Sequence, residues 1–131
     1  MCLTIQEFKT LLKFGKPEKP ILYYYGERWA CIHHARLRIQ CSMLKSDLCF
    51  NLHVTDDPSC SCGFQTENAL HFFLNCNQYL EIHRALTATI SRFTACSLKH
   101  ILYGDPEISY SDNKAVFGAV HTNLKDLKRF V

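Results

Sequence analysis

Four side chains able to bind a soft metal ion stand close together in the middle of the chain: Cys60, Cys62, His71 and Cys76. They read as Cys-x-Cys, an eight-residue gap, His, a four-residue gap and Cys. Zinc takes thiolate and imidazole donors in tetrahedral sets of four, and three cysteines with one histidine form a standard structural set. Two cysteines on a tight turn would supply one half of such a site, and a ligand pair on a following helix the other. Gly63, directly after Cys62, lets the backbone turn back so that amide groups can face the thiolates. Residues five apart on an ideal helix point about 140° apart, so His71 and Cys76 cannot both face a metal from a regular α-helix. The helix is therefore expected to loosen or end near Asn75. The Cys-x-Cys gap is also tighter than the spacing usual in zinc sites.

A single buried cysteine would mean little, because free cysteine is among the most buried residue types. Four ligand-type residues following the turn-rich run Asp56-Asp57-Pro58-Ser59 point instead to a structural zinc ion. Cys2, Cys31, Cys41, Cys49 and Cys96 lack such grouping and read as core residues, and His33-His34 read as packed or exposed rather than as a second site. Met1 to Lys16 mixes Glu7, Lys9 and Lys13 among its apolar residues, unlike a secretory signal. The chain is therefore expected inside the cell, not secreted, where metal ligation outranks a disulfide framework for its eight cysteines.

With 47% apolar and 21% charged residues, the chain is too hydrophobic for a disordered protein. Its longest apolar run, near Ile21 to Tyr25, is far short of a membrane span. The net charge of +3 permits contact with nucleic acid without demonstrating it.

Hydrophobic periodicity points to a mainly α protein, a small helical domain with a zinc-knuckle-like Cys-Cys-His-Cys turn-helix site. Thr4 and Glu7 form a capping-box pattern ahead of a helix over Thr4 to Phe14, and Gly15 to Pro20 form a linker. Arg28 to Gln40 reads as helix, although Arg36-Leu37-Arg38-Ile39 also alternates like a strand. On a helix Arg36 and Arg38 point to nearly opposite sides; on a strand they would share one face. Ser42 is placed to cap a helix carrying Leu44, Leu48 and Leu52, and Thr66 one carrying Glu67, Leu70 and His71. Tyr79, Ile82, Leu86, Ile90 and Phe93 form one apolar stripe of a long helix. After Gly104-Asp105-Pro106, a last helix capped by Ser111 or Asp112 carries Val116, Val120, Leu124 and Leu127. The chain thus divides into three units: residues 1–20 as helix and linker, 21–103 as zinc-stabilised helical core, and 104–131 as linker and helix.

Catalytic signatures are missing: there is no Gly-x-Ser-x-Gly, no phosphate-binding glycine loop and no His-Glu-x-x-His. A closed set of four ligands also leaves a zinc ion no open position for substrate. The chain is thus expected to be neither an enzyme nor a binder of a small-molecule substrate.

The run His34-Ala35-Arg36-Leu37-Arg38, Cys41-Ser42, Leu44, Asp47-Leu48, Cys60-Ser61-Cys62-Gly63, Thr66-Glu67, His71, Cys76 and Tyr79 resembles the C-terminal region of reverse transcriptases from non-LTR retrotransposons. The resemblance covers roughly Arg28 to Arg92, and more loosely Asn113, Phe117 and Arg129-Phe130. It implies an accessory module that helps hold template RNA or target DNA, with Cys60, Cys62, His71 and Cys76 on zinc and Arg36 and Arg38 on phosphates. It also implies nuclear or cytoplasmic placement and, as a partner, the remainder of a reverse-transcriptase polypeptide. The chain has no Tyr-x-Asp-Asp motif and is too short for a polymerase domain, so reverse transcription by this chain alone is not expected.

Three functional readings are open, the third being a cysteine-dependent enzyme, which requires a low-pKa cysteine outside the zinc set beside a histidine. In the first, Arg28, Arg36, Arg38, Lys45, Arg84 and Arg92 contact phosphates while Trp29 or tyrosines stack on bases. In the second, amphipathic helices dock on a protein partner, which an exposed apolar patch would favour.

Overall fold

The computed structural model describes residues 22–130, so the helix expected over Thr4 to Phe14 and its linker lie outside the described residues. The α-helices lying wholly within the described residues are α1 (Arg28–Arg38), α2 (Leu80–Ile90), α3 (Leu98–Tyr103) and α4 (Tyr110–Leu127). Two π-helical turns, Asp47–Asn51 and His71–Asn75, and a 3-10 turn, Asn77–Tyr79, lie between α1 and α2. Among the described residues there is no β-strand, and no helix is long and apolar enough to cross a membrane.

The ambiguous segment is helical over Arg28–Arg38, where Ala30, His34 and Leu37 recur at helical spacing and are all buried. Arg36 is exposed and Arg38 buried, the opposed directions that a helix imposes. The helix ends without glycine. Gln40 adopts the left-handed conformation (φ 59°), while the N–H groups of Cys41 and Gln40 bond to the carbonyls of Arg36 and Leu37 at 2.9 and 3.3 Å, which is a Schellman closure. Ser42 caps the segment after it, its hydroxyl accepting the Leu44 N–H at 3.1 Å. The Asp47 carboxylate in turn accepts the Ser42 hydroxyl at 2.6 Å.

Leu37, Leu44, Phe72, Phe73, Ile90, Ile101, Phe117 and Leu124 belong to one buried cluster. Helix α4 packs along α2 and also contacts α1 and α3, so residues after Gly104 join the same body as residues 22–103. Gly104-Asp105-Pro106 makes a turn inside that body, where the Asp105 N–H donates to Asn113 Oδ1 at 2.8 Å and Asn113 Nδ2 returns a bond to the Asp105 carbonyl at 2.9 Å. Helix α4 starts earlier than its sequence suggests: Ser109, not Ser111 or Asp112, accepts the Asp112 N–H at 3.0 Å. Helix α3 has no counterpart among the sequence expectations. Ser97 caps it by accepting the His100 N–H at 3.2 Å, and Ile101 and Leu102 anchor it in the core.

Candidate metal centre

The centre is built from a turn and a widened helical turn. The Cys60 N–H donates to the Phe64 carbonyl at 2.9 Å and the Gly63 N–H to the Cys60 carbonyl at 3.0 Å, closing the turn that presents Cys60 and Cys62. Gly63 sits at φ 101°, a region that side-chain-bearing residues avoid. The return segment is tied down by the Glu67 N–H, bonded to the Pro58 carbonyl at 2.7 Å. Asn68, rather than Thr66, caps the next turn, its Oδ1 accepting the His71 N–H at 2.9 Å.

The obstacle of the five-residue step is removed by a change of helix type. The Cys76 N–H bonds to the His71 carbonyl at 2.7 Å, a π-type closure that brings residues five apart onto one side, as an α-turn does for residues four apart. Cys76 then leaves the helix in extended conformation (φ −72°, ψ 115°).

The four donor atoms lie within 4.8 Å of one another. The Cys60 and Cys76 sulfurs are 3.7 Å apart, and Cys62 Sγ is 3.2 Å from His71 Nε2. A tetrahedral ion with bonds of about 2.3 Å to sulfur sets a sulfur–sulfur edge of about 3.8 Å. Cys60, His71 and Cys76 are buried and Cys62 is partly exposed. The Phe64 ring lies flat on His71, with centroids 4.4 Å apart and 7° between planes.

Burial and amide donors act in opposite directions on the three thiols. Burial pushes the Cys76 thiol up to about 12, with Cys60 and Cys62 reinforcing the shift and the Gln78 amide opposing it. Burial also raises the Cys60 thiol against the lowering effect of the Cys62 amide. Cys62 is lowered, chiefly by the Phe64 N–H. Amide donors thus face all three sulfurs, the arrangement that supports bound thiolates.

An outer layer ties this centre to the rest of the molecule. The buried Glu67 carboxylate accepts the Lys45 N–H at 2.9 Å and Arg129 Nη2 at 2.7 Å, and its Oε2 is 3.9 Å from Cys60 Sγ. Ser61 donates to Gln78 Oε1 at 2.7 Å, linking the two ligand-bearing segments directly. Sequence reading gave Phe64, Asn68 and Arg129 no part in the centre. Arg129 in particular lies far along the chain from Glu67, and no local spacing signals the pair.

Of the residues expected on phosphates, Arg28, Arg36, Arg84 and Arg92 are exposed and Lys45 is partly buried; they stand on three separate segments. Arg84 also pairs with Glu81 at 2.9 Å. Arg38 is a correction. It is 6% exposed, its Nε donates to the Leu102 carbonyl at 2.5 Å, and its guanidinium lies 4.0 Å from the Tyr23 ring centroid. Helical geometry turns it inward as it turns Arg36 outward, so Arg38 is a core residue.

Among the described cysteines outside the donor set, Cys31, Cys49 and Cys96 are free. His33 stacks on Phe130 at 5.3 Å and His34 is fully buried, so both pack rather than ligate.

No family model matches this chain, and neither a curated protein nor a solved structure matches it. The described residues define a helical domain with a Cys3His cluster able to hold a metal ion.

Proposed function

We propose that the chain is a zinc-stapled accessory module that contacts RNA or DNA through exposed basic residues and performs no polymerase chemistry itself. The observation that carries the metal half is the convergence of three sulfurs and one imidazole within 4.8 Å, a donor set whose softness and count suit Zn2+. Cys60, Cys62, His71 and Cys76 would hold the ion, filling its coordination and giving it a structural role. The turn and the π-helical segment would form the zinc-knuckle-like unit expected from the sequence. Elemental analysis of protein purified without a metal-affinity tag tests this: about one equivalent of zinc is expected, and less than about half an equivalent in folded protein would refute it.

The nucleic-acid half rests on the resemblance to retrotransposon reverse transcriptases together with the exposure of Arg28, Arg36, Arg84 and Arg92. Phosphate contacts make affinity fall as salt rises, so gel shifts of single-stranded RNA and duplex DNA at two salt concentrations are the test. No shift, or one insensitive to salt, removes this half.

A protein-docking reading is favoured by one surface feature. Phe50 and Leu70 are 54% and 45% exposed and line the same cavity of about 380 Å³. If this face docks on the remainder of a longer polypeptide, Phe50→Asp with Leu70→Asp abolishes that association and leaves zinc content unchanged.

A further inference from the structure

The metal centre has an unpaired edge. Nδ1 of His71 is buried with no hydrogen-bond partner, and so are both ring nitrogens of His83. Buried polar atoms are nearly always paired, directly or through water. His83 stands on the first turn of α2, and its ring meets Tyr79 edge-on at 6.1 Å. Tyr79 packs in the same way on Phe72 at 6.3 Å, the residue next to His71. A chain of three packed rings therefore joins His83 to the ligand segment.

With Nε2 on a metal ion, a neutral His71 would carry its proton on Nδ1. Metal-bound histidines pass that proton to a carboxylate, a carbonyl or a water, which fixes the ring and its tautomer. The nearby carboxylate is engaged elsewhere, since Glu67 is held by Arg129 and the Lys45 amide. Phe64 covers the face of the His71 ring, so the proton must be met at the ring edge.

We propose that His83 is the outer partner of His71, one of its nitrogens accepting the His71 Nδ1–H across a single bridging water. It is a positioning residue, and the proposal rests on the metal reading above. A water bridge of this kind performs nearly as well as a direct bond.

Zinc content of the unmodified protein is measured first, which decides the metal reading separately. In zinc-loaded protein, long-range proton–nitrogen spectra should show His71 protonated at Nδ1, with that proton slow to exchange and giving cross-relaxation to water and to the His83 ring. His83→Phe should lower zinc affinity by about 10- to 100-fold and speed the exchange of that proton. His83→Gln, which keeps an acceptor, should restore most of both. One equivalent of zinc with the His71 proton on Nε2, or a His83→Phe protein with native affinity and native exchange, overturns the proposal. If His83→Phe does not fold, the spectra of the unmodified protein decide alone: a His71 Nδ1–H with no cross-relaxation to His83 overturns it.

Discussion

Arg129 reaches back from the end of α4 to place Nη2 2.7 Å from Oε1 of Glu67, joining the last turn of the chain to the shell of the metal centre. The same guanidinium donates to the Met43 carbonyl at 3.1 Å, and the neighbouring Phe130 packs on Phe72 and His33. Arg129→Ala should therefore strand a buried carboxylate, with a loss of about 3 kcal/mol in urea unfolding. Glu67→Gln, which still accepts the Lys45 N–H, should cost less. Equal and negligible losses would show that the pair does not hold these parts together.

Metal binding should be steeply pH-dependent. Cys60 is raised and Cys76 stands at about 12, so both carry protons in the metal-free protein at neutral pH and release them on binding. Affinity should then fall at least about a hundredfold for each unit of acidification, tenfold per proton released. Competition with a chromophoric chelator between pH 8 and 6.5 measures this, and a flat profile would contradict it.

A strong chelator should also unfold the Cys60–Cys76 segment, because the free energy of zinc binding, of order 10 kcal/mol, enters folding directly. Amide exchange across Gly63 and Cys76 reports it. Cys62→Ala and His71→Ala should reproduce the effect without chelator.

Acid should weaken the opposite side of the core. His34 Nε2 lies 2.7 Å from the Ile101 carbonyl and so donates to it, leaving Nδ1 to accept from His121 Nε2 at 3.2 Å. Burial, then the Arg38 charge, lowers His121 to about 4, with Glu27 opposing; the same two causes lead the lowering of His34, with the His121 charge adding to it. A base with a depressed folded pKa gains its proton first in the unfolded chain. The stability it contributes is full above pH 6.5 and is lost as pH falls toward 4. The His121 share is on the order of 2 kcal/mol, discounted for partial exposure. Urea midpoints at pH 7.5 and 5 should converge in His121→Asn relative to the unaltered protein.

Two glycines separate backbone strain from collision. Gly63→Ala would meet no atom within 4 Å but must hold φ 101°, a cost of about 1–2 kcal/mol. Gly26→Ala would add to similar strain a Cβ 2.6 Å from His121 Nδ1 and should be the more damaging. The reverse order in thermal unfolding would refute this description of the two turns.

The donor set was legible in the sequence because zinc ligation depends on residue type and short spacing, which are local properties. Even the conflict between a five-residue step and an ideal helix could be read from 3.6-residue periodicity. The apolar faces of α2 and α4 were readable for the same reason. The remedy was not legible: it is a π turn over His71–Asn75 that brings His71 and Cys76 to one point. The caps at Asn68 and Ser109 were misplaced by two residues or more, since several neighbouring polar residues could cap and only packing selects among them. Arg38 looked like its exposed neighbour Arg36, and only the position of α1 against Tyr23, Phe117 and α3 turned it inward. Residue chemistry thus determined by itself what could gather around a metal ion and which faces were apolar. Tertiary structure decided which long-range pairs, above all Glu67 with Arg129, close around it, because burying a charge demands a partner and sequence distance places no limit on where that partner lies.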